Sequence, residues 1–253
     1  MDATCIDNLP GFRRRLRITP APGVVCSEVE DDFHCMSVTI CHLNGVTTCI
    51  RPVLERAPWS TCPGAVDELT KTFSGLPLTA YPERGKKREN CTHLHDLATL
   101  AATHAFDTEQ LVYDIRVSDP VDARREVELR RNGEVMFRWT MIDGRIVAPS
   151  ELSGLMLDKL NPWIASLDVR QQEAARLLRW GAMIANGRTI PLERQSDASR
   201  MPPNCYTFQP DRSAHARRVG VIRNFAPGAA QPLQPPNVHQ PNSLHRLPAG
   251  ELT

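Results

Sequence analysis

Two Asn-Gly dipeptides, each between runs of alternating apolar and polar residues, constrain the fold of this 253-residue chain more than any other feature. Asn44-Gly45 precedes a strand-like run at 46–54, and Asn132-Gly133 precedes another at 135–141. Asn-Gly favours a two-residue β-hairpin because both positions accept the positive φ angles that such a turn requires. The chain is therefore predicted to form at least two antiparallel hairpins, one in each half.

Helical patterns stand between and after these hairpins. Cys62-Pro63-Gly64 opens the first, and Pro63 suits a first helical position because its missing N–H is not needed there. A second helix is predicted from about Thr92 to Ala105, and a third from Val169 to Asn186, where Asp168 is the expected cap. Hairpins combined with helices predict an α+β fold, with antiparallel hairpins packed against helices.

Changes in composition predict four segments. Residues 1–23 read as a lead-in that contains one edge strand, and residues 24–106 read as an α+β half. Residues 107–225 read as a second α+β half that packs on the first. Residues 226–253 are rich in Pro and Gln with few apolar anchors, so they are predicted to be a disordered tail.

Charge and hydropathy argue against two classes of partner, nucleic acids and membranes. Thirty basic and twenty-nine acidic side chains give a net charge of +1, which argues against a dedicated nucleic-acid surface. No run of eighteen apolar residues is present, so no membrane-spanning helix is predicted. The first residues lack the pattern of a secretory signal, which predicts a cytoplasmic location. The expected partner is a small-molecule substrate, and a homo-oligomer is left open.

Eight cysteines in a reducing compartment are expected to be thiols or metal ligands rather than disulfides. Four of them lie in strand-like sequence and are predicted to be buried structural thiols: Cys26, Cys35, Cys41 and Cys49. Cys62 and Cys91 instead stand where helices begin, and there the helix dipole is expected to favour the reactive thiolate.

Three turns before residue 100 carry side chains that ligate metals. They are Asp31-Asp32-Phe33-His34, the turn at Cys62, and the turn at Cys91 with His93 close by. Convergent Cys, His and carboxylate side chains on rigid turns are typical of a metal site. The predicted ligands are Asp32, His34, Cys62 and Cys91. Asp31 stays an alternative for the third ligand, and Cys205 stays open between a further sulfur ligand and a buried thiol.

Three further residues are predicted to act on a substrate. His93 is expected to carry a proton. Arg88 and Arg188 are expected to hold a carboxylate, because a guanidinium matches a carboxylate with two parallel hydrogen bonds.

From Phe12 to about Phe225 the chain resembles DUF2889, a bacterial family described as a domain of unknown function. The resemblance rests on the phrases Glu30–His34, Arg56–Ala65, Arg88–Leu94, Glu173–Arg176, Ala185–Arg188 and Cys205–Pro210. Such proteins tend to be found among genes for aromatic compound catabolism. The resemblance therefore implies a small aromatic acid or its thioester as the substrate.

Residues 31–105 also resemble, more distantly, the iron–sulfur scaffold proteins of the IscU and SufU kind. Cys62 with the following Gly75-Leu76-Pro77-Leu78 is similar to the middle cysteine, its helix and the helix exit, and Cys91 is similar to the last cysteine. The scaffold's first cysteine is replaced here by the acidic turn at 30–34. Two thiolates with one carboxylate or imidazole suit a mononuclear Zn or Fe ion with an open position better than a transferable cluster.

These features predict a metal-dependent lyase, decarboxylase or hydrolase that acts on a small aromatic acid or its thioester. Three alternatives stay open, and the first is a binding module without metal in which Cys62 and Cys91 are structural. The other two involve chemistry or transport. One is a non-enzymatic metal or iron–sulfur carrier, and the other is a metal-free enzyme in which Cys62 is the nucleophile and His93 its base.

Overall fold

The computed structural model of the chain describes residues 5–188, 190, 197–225 and 230–234. Eight strands form one antiparallel sheet in the order β4-β3-β2-β1-β5-β6-β7-β8. The strands are β1 (Gly11–Ala21), β2 (Val24–Asp31), β3 (Cys35–Leu43), β4 (Val46–Arg56), β5 (Leu111–Ser118), β6 (Arg124–Arg131), β7 (Glu134–Ile142) and β8 (Arg145–Ala148). The helices are α1 (Ala65–Phe73), α2 (Thr92–Thr103), α3 (Asn161–Ser166), α4 (Val169–Ala185) and α5 (Pro210–Ser213). The predicted α+β class is confirmed.

Both Asn-Gly hairpins form as predicted. Asn44 and Gly45 take φ angles of 50° and 77°, and Leu43 pairs with Val46 across the turn. The β6–β7 hairpin closes in the same way around Asn132 and Gly133. Positive φ at both central positions matches the right-handed twist of the flanking strands, so the two dipeptides set the register of their hairpins.

Strand β1 contradicts the prediction of an edge strand. It lies in the middle of the sheet, where Leu16 pairs with Val29 on one side and with Tyr113 on the other. The run of three arginines gave the strand a polar appearance. Arg13 and Arg14 are nonetheless buried, because each finds acceptors inside the protein. Through β1 the two halves of the chain share one continuous sheet.

One face of the sheet carries the helix layer. Helix α2 packs on β2 and β3, α1 packs on β4, and α4 packs on β5, β6 and β7. Apolar side chains at alternate positions fill the interface, among them Val25, Val38 and Ile40, which are completely buried. Ser27 lies on the same face and donates a hydrogen bond to the carbonyl of Leu97 in α2. This layer brings the start of α2 to the end of β2.

A few residues of the predicted tail are described. Within residues 230–234, the backbone N–H of Leu233 donates to Glu30 Oε2 at 2.8 Å. The rest of the predicted disordered tail, 226–229 and 235–253, lies outside the described residues. Within the part of the chain that the structure describes, the helices are all too short or too polar to cross a bilayer.

Candidate metal centre

A tight turn at the end of β2 places Asp31 and His34 next to each other. Asp31 Oδ1 accepts the backbone N–H groups of Phe33 and His34 at 2.7 and 2.8 Å, and the backbone N–H of Asp31 donates to the carbonyl of His34 at 2.9 Å. Arg56, on β4, donates to the carbonyls of Asp31, Asp32 and His34. The side chain of Asp31 thus shapes the turn from inside, and Arg56 holds it from β4, two strands away in the sheet.

Asp31 is a buried carboxylate that remains ionised. Arg14 donates through Nε at 2.7 Å and through Nη2 to the same oxygen, and both side chains are nearly inaccessible to solvent. Burial by itself raises the pKa of Asp31, but the charges of Arg14 and then His34 hold it well below its usual value. The site therefore contains a fixed negative charge at neutral pH.

Two imidazole rings lie over one another beside this carboxylate. His34 Nδ1 is 3.0 Å from Asp31 Oδ1 and 3.2 Å from Oδ2. His93, the second residue of α2, stacks on His34 with ring centroids 4.0 Å apart. Burial, and then the charges of His34 and Arg14, keep the pKa of His93 well below its usual value. His93 is therefore neutral, which is the form of imidazole that binds metal.

Asp31, His34 and His93 are the residues that the structure brings together as a group able to hold a metal ion. Each offers one ligand atom, and these atoms all lie within 4.8 Å of one another. Among the described residues, the shielded Nε2 of His93 has no hydrogen-bond partner. A buried polar atom without a partner is costly, and a metal ion would satisfy it. The donor set of two imidazoles and a carboxylate suits Zn or a non-haem Fe.

Asp32, a predicted ligand, points away from this group toward an ion pair. Its Oδ2 accepts from Arg188 Nη1 at 2.5 Å. Burial raises the pKa of Asp32 to about 6, although Arg188 opposes the shift. Arg188, predicted to hold a substrate carboxylate, also donates through Nε to Asp119 at 2.9 Å and through Nη2 to Asn224 at 3.0 Å. All three of its nitrogens contact the protein.

The two predicted cysteine ligands lie in buried positions at their helix starts. Cys62 occupies a 3-10 turn just before α1, and its Sγ is 3.3 Å from Thr207 Oγ1. Cys91 is the residue before α2, and burial raises its pKa to about 12, with smaller contributions from Cys62 and Cys205. Burial also raises the pKa of Cys62. Burial therefore favours the neutral thiol over the expected thiolate at both helix starts, because desolvation disfavours the charged form.

Of the predicted residues, His34 and His93 thus meet at the site, with Asp31 from the set of alternatives. Arg88 is exposed in the loop before α2, and its backbone carbonyl accepts a hydrogen bond from Gln209. Arg14 was missed, since its arginine run has the composition of a solvated face. The signal for Arg14 was its alternation with Phe12 and Leu16, which places it on the buried face of a strand.

No protein-family model matches this chain, and no curated protein matches it either. The resemblance to DUF2889 and the more distant one to the iron–sulfur scaffolds therefore stay predictions.

Proposed function

We propose that the chain is a metal-dependent enzyme whose Zn or Fe ion is held by Asp31, His34 and His93. The observation that carries the proposal is the convergence of three donor atoms within 4.8 Å, with His93 Nε2 left unpartnered by the described residues. Two imidazoles and one carboxylate leave coordination positions open for water or substrate, as catalytic sites do.

The distances between donor atoms support this donor set. Ligand bonds of about 2.0–2.1 Å in tetrahedral geometry place neighbouring donor atoms about 3.3 Å apart. His34 Nδ1 stands 3.0 and 3.2 Å from the two oxygens of Asp31, close to that spacing. The imidazole of His93 is uncharged and does not repel a cation, because burial lowers its pKa.

The surrounding residues would keep the donors in place. Arg14 neutralises the buried Asp31 and fixes its Oδ2, and Arg56 fixes the backbone of the turn. Rigid outer partners of this kind orient ligands and tune the metal. When bound, the ion would supply a Lewis acid that polarises a carbonyl or lowers the pKa of a water molecule.

The reaction we propose is that of a lyase, decarboxylase or hydrolase on a small carboxylic acid or its thioester. The aromatic nature of the substrate is implied by the DUF2889 resemblance alone. The alternative in which Cys62 is the nucleophile gains no support, because burial raises the pKa of its thiol. The iron–sulfur form of the carrier alternative gains no support either, because the donor group of Asp31, His34 and His93 contains no sulfur.

Metal binding by purified protein tests the proposal. The chain would be purified without an affinity tag, depleted with a chelator, and titrated with Zn(II) or, without oxygen, with Fe(II). About one equivalent should bind, and His93→Gln should weaken binding at least about tenfold, as the loss of even an outer partner does. Cys62→Ser and Cys91→Ser are the matched controls and should keep the ion.

The outcomes separate the ligand sets. If the two serine variants lose the metal and His93→Gln keeps it, Cys62 and Cys91 are the ligands instead. Stoichiometric binding by none of the proteins would refute the metal site. Activity would then be assayed with a panel of carboxylic acids and thioesters, before and after metal is restored to depleted protein. A metal-loaded protein that turns over none of them would contradict the enzymatic part.

A further inference from the structure

Two cysteines face each other across the β3–β4 hairpin. Cys41 on β3 pairs directly with Cys49 on β4, the strand at one edge of the sheet. Their chain neighbours Ile40 and Ile50 are buried toward the helices. Because side chains alternate along a strand, Cys41 and Cys49 point to the opposite face. Both are half-buried rather than buried as predicted, so solvent reaches them.

The backbone geometry of this pair is that of a disulfide site. Residues directly opposite in an antiparallel pair have Cα atoms about 4.5–5.5 Å apart. Disulfides join residues whose Cα atoms are about 4.4–6.8 Å apart, so no strand would need to move. Both thiols are free. Burial, and then the charge and hydrogen bond of Cys49, raise the pKa of Cys41.

The other two cysteines of this region lack such a partner. Cys26 pairs with Thr39, whose hydroxyl donates to the Cys26 thiol at 3.6 Å. The thiol of Cys35 donates to Glu55 at 3.3 Å. Among these four strand cysteines, Cys41 and Cys49 alone are directly opposite each other in the strand register.

We propose that Cys41 and Cys49 form an oxidant-reactive dithiol that hydrogen peroxide converts to a cross-strand disulfide. One thiolate attacks a peroxide oxygen and breaks the O–O bond, which gives a sulfenic acid and one water after proton transfer. The second thiol then attacks the sulfenic sulfur, forms the S–S bond and releases the hydroxyl as a second water. Two thiols are oxidised by two electrons, and one peroxide is reduced to two waters.

This site is separate from the candidate metal centre. His34 precedes β3 and Cys41 lies near the other end of that strand, so about seven residues at roughly 3.3 Å each put them about 23 Å apart. The disulfide would tie the edge strand β4 to β3 at its hairpin end. Its formation should become faster as pH rises, because the pKa of Cys41 is raised and only the thiolate attacks.

Peptide mapping of peroxide-treated protein tests the proposal. The full-length Cys5→Ser protein, reduced and free of metal, would be treated with peroxide, quenched with an alkylating agent and digested with chymotrypsin. Leu43 lies between the two cysteines, so cleavage there separates their peptides unless a disulfide joins them. The expected product is a pair of peptides linked through Cys41 and Cys49. Its mass is two hydrogens below the sum of the two reduced peptides, and a reductant separates it again.

Single variants decide the assignment. Cys41→Ser and Cys49→Ser should abolish the linked pair, while Cys26→Ser and Cys35→Ser should leave its yield unchanged. Circular dichroism of each variant confirms that the sheet is intact, and the alanine variant at the same position replaces any serine variant that does not fold. The proposal is overturned if Cys41 links to Cys26 instead. It is overturned equally if both thiols stay alkylatable, or if they pass to sulfinic acid without a cross-link.

Discussion

Arg14 and Asp31, directly opposite each other on β1 and β2, form a buried ion pair beside the stacked imidazoles of His34 and His93. The pair faces the helix layer, where water cannot replace either partner. A charge in such a place stays only while its counter-charge is present. The candidate centre therefore depends on an arginine from a strand that also supports the whole sheet.

Removal of this arginine should cost much stability. Arg14→Gln leaves the Asp31 carboxylate buried with weaker compensation, so the free energy of unfolding should fall by about 3–5 kcal/mol in urea denaturation. Arg15→Gln is the matched control, because Arg15 pairs with Asp114 on the more exposed face of the same strand. That change should cost about 1 kcal/mol or less. Equal losses in the two variants would contradict the buried role of Arg14.

A second ionic network, formed by His104 with Asp107 and Glu173, should make stability depend on pH. Burial lowers the pKa of His104, but Glu173 and then Asp107 overcome this and raise it. A raised histidine pKa stabilises the fold fully below the unfolded value of about 6.5. The contribution is lost as pH rises through the folded pKa.

His104→Asn should therefore cost more stability near about pH 6 than near about pH 9 in urea denaturation. Glu173→Gln should flatten this difference, because it removes the carboxylate 3.0 Å from His104 Nε2. A cost of His104→Asn that is constant across this range would count against the network.

The glycine of Cys62-Pro63-Gly64 should be required for packing rather than for its φ angle, which is −64°. A Cβ at Gly64 would stand 2.5 Å from the Tyr206 hydroxyl oxygen and 3.1 Å from the ring carbon that bears it. Gly64→Ala should then lower the free energy of unfolding by about 1–3 kcal/mol, as overpacking does.

Tyr206→Phe removes the atom nearest to that Cβ, so the double variant should recover part of the loss. A double-mutant cycle in urea measures this coupling. The loss of unfolding free energy in the double variant should be smaller than the sum of the two single losses. Strictly additive effects would show that Tyr206 does not pack on Gly64.

Cys91 should resist thiol reagents in the native protein. Burial raises its pKa to about 12, so almost no thiolate is present at neutral pH. A disulfide reagent should label the exposed Cys5 at once and Cys91 only after denaturation, as followed by mass spectrometry. Rapid labelling of Cys91 in the folded protein would revive the cysteine-nucleophile alternative.

Local patterns predicted much of the fold. The Asn44-Gly45 and Asn132-Gly133 turns, the alternation around them, and the capping of α4 by Asp168 act over a few residues. Such effects can be read without knowledge of distant contacts. The turn at 31–34 and His93 likewise carry residue types that predict metal chemistry without knowledge of the fold.

Other features depended on distant partners. The arginines of β1 have the composition of a solvated face, and only the fold places Asp31 opposite Arg14. Cys62 and Cys91 read as thiolates until the chain around Thr207 and Cys205 buried them. Desolvation is set by everything packed around a group, and no short stretch of sequence records it.

The sequence by itself determined the hairpins, the helix starts and the residue types from which a metal site could be built. Only the tertiary structure decided which of them meet: Asp31, His34 and His93 at one end of the sheet, and Cys41 with Cys49 nearer the other. The physical reason is the distance along the chain over which each kind of interaction acts. Turn and capping preferences are local, whereas ion pairing, burial and metal-ligand distances join segments that are far apart in the chain.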